Sequence, residues 1–167
     1  MGFFIGLLSA PSAWSASEEV AQLMQAAART KNPEEALALL KRAAELSPEE
    51  PSVQVNYGSL LFKKGQAILA AGKKEDGRVV FREVEKTLLS ALRLAKYESD
   101  SLRRAQLKSQ CNFLLGEASF FVFSNKEKAK SYYQEALWYD PQHPGALEAR
   151  TRYGESLERA PQPATQP

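Results

Sequence analysis

From Glu18 onward apolar residues recur every three or four positions, and no long strict alternation with polar residues sets in, so the chain reads as helix after helix. A first helix is expected over 18–30. Asn32, Pro33, Glu34 and Glu35 supply a cap, a proline at the first helical position and acids in the first turn, opening a second helix near Pro33. It carries Ala36, Leu40 and Ala43 on one stripe and stops at Ser47, because Pro48 disfavours helix in the residue before it. A third helix starts around Pro51 and carries Val55, Leu60, Leu61, Ile68 and Leu69 as far as Ala71 and Gly72. The glycine supplies a stop, and Lys73 and Lys74 suit the negative end of the helix dipole.

A fourth helix over 75–96 has the stripe Val80, Val84, Leu88, Ala91 and Leu92. Asp100 and Ser101 can cap a fifth, with Leu107, Cys111, Leu114, Ala118 and Phe121 on its stripe. Asn125 caps a sixth, which carries Ala129, Tyr133 and Ala136 and ends at Asp140 and Pro141. A last amphipathic helix, 144–157, carries Ala146, Ala149 and Tyr153. Short turns between these seven helices favour antiparallel neighbours.

Three of the helices end in versions of one phrase, a large residue followed three later by alanine: Leu40 and Ala43, Leu88 and Ala91, Tyr133 and Ala136. The first and third add an earlier alanine and a later proline, as Ala36 and Pro48, and as Ala129 and Pro141. This resembles the second helix of a tetratricopeptide repeat, a family with a period of about 34 residues. Tyr57, Gly58 and Leu61, then Lys64 and Gly65, are similar to the first helix of such a repeat, as more weakly are Leu115, Gly116 and Phe120. The resemblance covers roughly residues 18–141 and implies an all-α fold: antiparallel helix hairpins stacked as a short right-handed solenoid of about three repeats. The spacing departs from the family, since Ala43 to Ala91 is 48 residues and Ala91 to Ala136 is 45. Most of the first excess falls around residues 71–77, so the middle hairpin should be elongated and project beyond the stack.

The resemblance further implies a groove lined by the first helix of each pair, in which other proteins or peptides are held. Its groove-facing positions would be Asn56, Ser59 and Phe62 on one helix and Phe113, Glu117 and Phe120 on another; Phe113, Phe120 and Phe121 fit a core role as well. Some members of the family grip a terminal carboxylate with a set of Lys, Asn and Arg residues. Only Asn56 matches that set, so that activity is not implied here.

Composition, with 44% apolar and 25% charged residues, is that of an ordinary soluble domain and argues against wholesale disorder or a multi-spanning membrane protein. The net charge of +2 argues for neither nucleic acid nor anionic membrane as a partner. Between Lys63 and Lys108, however, twelve Lys or Arg face six acids. That stretch reads as solvated helix faces; an RNA or acidic-partner surface is the alternative, and no nucleic-acid motif accompanies it. Cys111, the single cysteine, sits among Leu107, Leu114 and Ala118 at helical spacing and reads as a buried small hydrophobe rather than a nucleophile. His143, between Pro141 and Pro144, reads as an exposed residue of a linker. With no glycine-rich phosphate loop, HExxH or paired-cysteine spacing, neither catalysis nor a metal or cofactor is expected.

The ends differ from the body. Residues 2–8 are apolar and uncharged, and small residues follow as far as Ser17, with Ala13 and Ser15 or Ser15 and Ser17 placed for a signal peptidase. Residues 1–17 are therefore a candidate signal peptide, implying an exported, periplasmic or secreted protein; an N-terminal tail packed on the first helix is the alternative, which leaves the chain cytoplasmic. No Lys or Arg precedes the apolar core, as a complete signal would require, and the run is too short to span a bilayer. The helical domain is expected over 18–158, and the proline-rich 159–167 is expected to be disordered. The function that follows is a non-catalytic interaction module or scaffold in the bacterial envelope, with a structural subunit docking through the long middle hairpin as the alternative.

Overall fold

The computed structural model describes residues 13–152. They form α1 (Ala13–Arg29), α2 (Pro33–Leu46), α3 (Pro51–Ala70), α4 (Lys74–Ala95), α5 (Ser101–Phe121), α6 (Lys126–Tyr139) and α7 (Pro144–Arg152), with no strand among the described residues. The expected end of the seventh helix at 157 and the proline-rich 159–167 lie outside the described residues, as does the apolar segment 2–8. The first helix begins at Ala13 rather than Glu18, so the candidate cleavage positions fall in its first turns.

Local chemistry accounts for the boundaries. The side chain of Asn32 accepts from the Glu34 and Glu35 amides at 3.0 and 3.4 Å, that of Asp100 from Leu102 and Arg103 at 2.9 and 3.0 Å, and that of Asn125 from Lys128 at 3.0 Å. Each satisfies amides that the first helical turn leaves without a partner. At the other end of α3, Gly72 takes φ +79°, which lets its amide reach the Leu69 carbonyl at 2.9 Å and the Lys73 amide reach Ile68 at 3.2 Å. This Schellman arrangement turns the chain back into α4.

The helices pack as the hairpins α1/α2, α3/α4 and α5/α6, and α7 closes the far end against α6. Successive hairpins join through α2 on α3, α4 on α5 and α3 on α5. Close approach within the second and third hairpins rests on glycine. A Cβ added at Gly58 of α3 would lie 2.7 Å from Leu88 Cδ2 of α4, and one at Gly116 of α5 would lie 2.6 Å from Tyr133 Cε1 of α6. The large residue of the repeated phrase thus fills the space that the first helix leaves empty. Ala43, Ala91 and Ala136, the alanines of the same phrase, are fully buried.

One core runs through α2, α3, α4 and α5, from Leu40 through Tyr57, Leu61, Phe81, Val84 and Leu88 to Leu107, Cys111 and Leu115. Val20, Ala43 and Val53 join the first hairpin to the second, and Ala129, Tyr133 and Ala149 join α6 to α7. The described chain is an all-helical solenoid of stacked hairpins.

The middle hairpin is the long one. Lys64 Nζ lies 2.9 Å from Glu34 Oε2 at the start of α2, and Lys128 Nζ at the start of α6 lies 2.6 Å from Glu85 Oε1. These ion pairs mark how far the flanking hairpins reach. Residues 66–79 lie beyond them and, at the helical rise per residue, stand roughly 10 Å clear of the stack. Leu69 closes over Gly77 inside this tip, while Val79 is 62% exposed.

Candidate partner-binding faces

The first helices of the second and third hairpins, α3 and α5, lie side by side, and their starts are pinned by one cation. Arg103 of α5 reaches Glu50 Oε1 at 3.0 Å and Ser52 Oγ at 3.1 Å, while its Nε lies 3.2 Å from Glu98 Oε2. All three pairs are partly solvated, so they fix register more than they add stability. Along α3 the positions turned to solvent include Asn56 and Lys63, flanked by half-buried Ser59 and Leu60; along α5 they include Gln106, with Gln110 half-buried. Ser59 Oγ donates back to the Val55 carbonyl at 2.8 Å. The surface is rich in amides and hydroxyls, groups that can pair with the backbone of an extended peptide.

Of the six positions expected in a groove, Asn56 is exposed and Ser59 half-buried, but Phe62 is not on a face at all. It is 6% exposed, with the Phe81 ring edge-on at a centroid distance of 5.2 Å. The reason is that α3 is packed by α2, α4 and α5 together, which leaves it only a narrow solvated stripe. Phe113, Glu117 and Phe120 do share one side of α5, and α6 and α7 already engage that side. Phe113 lies beside Tyr133 and His143, at centroid distances of 6.3 and 4.8 Å, and against Gly145, where a Cβ would strike its ring. Glu117 accepts from the Tyr133 hydroxyl at 2.7 Å and lies 3.6 Å from the Arg152 guanidinium. Phe120 packs edge-on against Phe121 and into the Tyr133 and Ala149 cluster.

His143 corrects the expectation of an exposed linker residue, being only 9% exposed. Its Nδ1 accepts from the Ala146 amide at 3.2 Å, its Nε2 lies 3.2 Å from Gln110 Oε1, and its ring lies tilted beside that of Phe113. It is the N-cap of α7, a role that needs a lone pair on Nδ1 and so the neutral ring. Burial lowers its pKa, partly opposed by the Asp140 carboxylate.

Cys111 is fully buried, and desolvation pushes its thiol up to about 12, so it carries no thiolate at neutral pH. The Tyr57 hydroxyl, donating to Glu83 at 2.8 Å, is likewise raised by burial and then by that carboxylate. Among the described residues no three His, Cys, Asp or Glu side chains converge on a metal position, and no helix is long and apolar enough to cross a membrane.

Residues 17–60, which span most of α1, all of α2 and the first half of α3, match the tetratricopeptide repeat family model. That stretch is similar to a tetratricopeptide repeat. No curated protein and no solved structure matches it. Tetratricopeptide repeats generally mediate protein–protein interaction, and the fold is typically a non-catalytic module. The second and third hairpins share one kind of contact, a glycine of the first helix against a large residue of the second, at Gly58 with Leu88 and at Gly116 with Tyr133, and of these four residues only Gly58 falls in the matched stretch.

One surface feature went unread in the sequence beyond its net charge. Lys86, Leu89, Leu92, Arg93 and Lys96 of α4, with Lys108 of α5, line an open groove of about 630 Å³. The signal was present as the four-and-three ladder Arg82, Lys86, Leu89, Arg93 and Lys96, which puts cations on one solvent-facing stripe.

Proposed function

We propose that this chain is a non-catalytic docking module that holds an extended segment of another protein across the α3/α5 face. The observation that carries the reading is that Arg103 ties α5 to the start of α3, with Asn56 on one helix and Gln106 on the other exposed to solvent. Hydrogen-bonding side chains without a large apolar patch suit a backbone-recognising, moderate-affinity contact. Phe62, Phe113, Glu117 and Phe120 support this face from beneath or beside it.

The site of action we propose is the bacterial envelope, supported by the apolar residues 2–8 and the small residues after them. A second reading, a structural subunit docking through the long middle hairpin, is favoured by the exposed Val79 on the projecting tip. The test is quantitative co-purification from the native host with wild type and with the double variant N56R/Q106E, after circular dichroism shows that both are folded. A partner retained by wild type and depleted about tenfold by the variant supports the face; equal recovery overturns it. A mature N-terminus at one of the candidate cleavage positions supports export, whereas an intact N-terminus on cytoplasmic protein refutes it.

A further inference from the structure

We infer that the groove along α4 is a second docking site, distinct from the α3/α5 face, and that its occupant is an acidic amphipathic helix of a partner protein. Four cations surround it: Lys86, Arg93 and Lys96 from α4 and Lys108 from α5. None of the four has an ion-pair partner among the described residues. The nearby carboxylate of Glu85 is taken by Lys128 at 2.6 Å. The groove therefore holds like charges together with no anion of its own to relieve them, and an acidic ligand would relieve them.

The apolar part of the lining decides the kind of acidic ligand. Leu89 is exposed and Leu92 half-buried between the cations, so the lining alternates charge with apolar surface along a helix axis. From Lys86 to Lys96 the rise is roughly 15 Å, about the length of three turns of a partner helix. A helix laid here can set leucine-like residues on Leu89 and Leu92 and carboxylates against the flanking cations, the helix-in-groove mode.

Single-stranded nucleic acid binds by stacking bases on aromatic faces, and the lining of this groove, Lys86, Leu89, Leu92, Arg93, Lys96 and Lys108, holds no aromatic residue. Lys108 lies over Tyr139 at 4.9 Å and Lys96 over Tyr97 at 4.7 Å.

The test is fluorescence anisotropy with the full chain and a labelled peptide of about 14 residues, glutamate-rich with a leucine every third or fourth position. Controls are the same peptide with every Glu replaced by Gln, and a single-stranded RNA oligonucleotide of similar length. The Glu peptide should bind, the Gln peptide should not, and added salt should weaken binding. K86E/R93E and L89Q, all at solvent-exposed positions, should each weaken it, the charge reversal by about tenfold or more. N56R, on the other face, should leave it unchanged, so the failure of either site is read separately. The inference is overturned if the Glu peptide does not bind, if K86E/R93E or L89Q binds it like wild type, or if the RNA binds as tightly at the same salt.

Discussion

Replacing Gly116 by alanine tests the contact that builds the third hairpin. The new Cβ would lie 2.6 Å from Tyr133 Cε1, 2.8 Å from Cδ1 and 3.1 Å from Cζ, against a ring that is 0% exposed. The ring cannot simply swing aside, because its hydroxyl is held by Glu117 at 2.7 Å and its face lies beside Phe113. Overpacking of this kind costs about 1–3 kcal/mol. Alanine in a helix interior returns about 1 kcal/mol relative to glycine. The net expectation is destabilisation by about 1 kcal/mol, read as a lower urea midpoint with unchanged slope. In a Tyr133→Leu background the ring is gone, so the same Gly116→Ala change should become stabilising by about 0.5–1 kcal/mol. Stabilisation in the wild-type background, or the same sign in both, would refute the steric account.

Three further outcomes follow from other parts of the fold. His143 has a lowered pKa in the folded state, so its cap contributes fully above the unfolded value of 6.5 and is lost as pH falls through the lower folded value. Thermal unfolding of wild type should show that loss, and His143→Asn, which caps without titrating, should remove the His143 part of it. Ser124 sits at φ +53°, a left-handed conformation that costs a non-glycine residue about 1 kcal/mol, so Ser124→Gly should raise the urea midpoint rather than lower it. Cys111 should react with a maleimide only when the fold opens, so native labelling faster than global unfolding would contradict its burial.

Much of the helix map was legible because its signals are local. Asn32, Asp100 and Asn125 cap helices through amides two or three residues away, and Gly72 acts on its own turn. The repeated phrase was legible for a related reason: Ala43, Ala91 and Ala136 must be small wherever two helices touch. The faces were harder to read. Helical periodicity finds an apolar stripe when one side is buried, but α3 is packed by three neighbours, so spacing alone could not send Phe62 inward while leaving Asn56 in solvent. His143 between two prolines carries no local mark of burial, because the groups that enclose it, Gln110 and Phe113, belong to another helix. The groove along α4 needed Lys108 of α5 to complete it, and sequence charge counts do not show which cations lie around one depression.

The central claim, that α3 and α5 together form the surface that holds a partner, is tested most directly by hydrogen–deuterium exchange on the complex with a protein that co-purifies in stoichiometric amount. Slowed exchange in the exposed parts of residues 51–66 and 101–112 on binding is the predicted result. Protection confined to the hairpin tip at 66–79, with α3 and α5 otherwise unchanged, would contradict it and assign the role to the projecting hairpin.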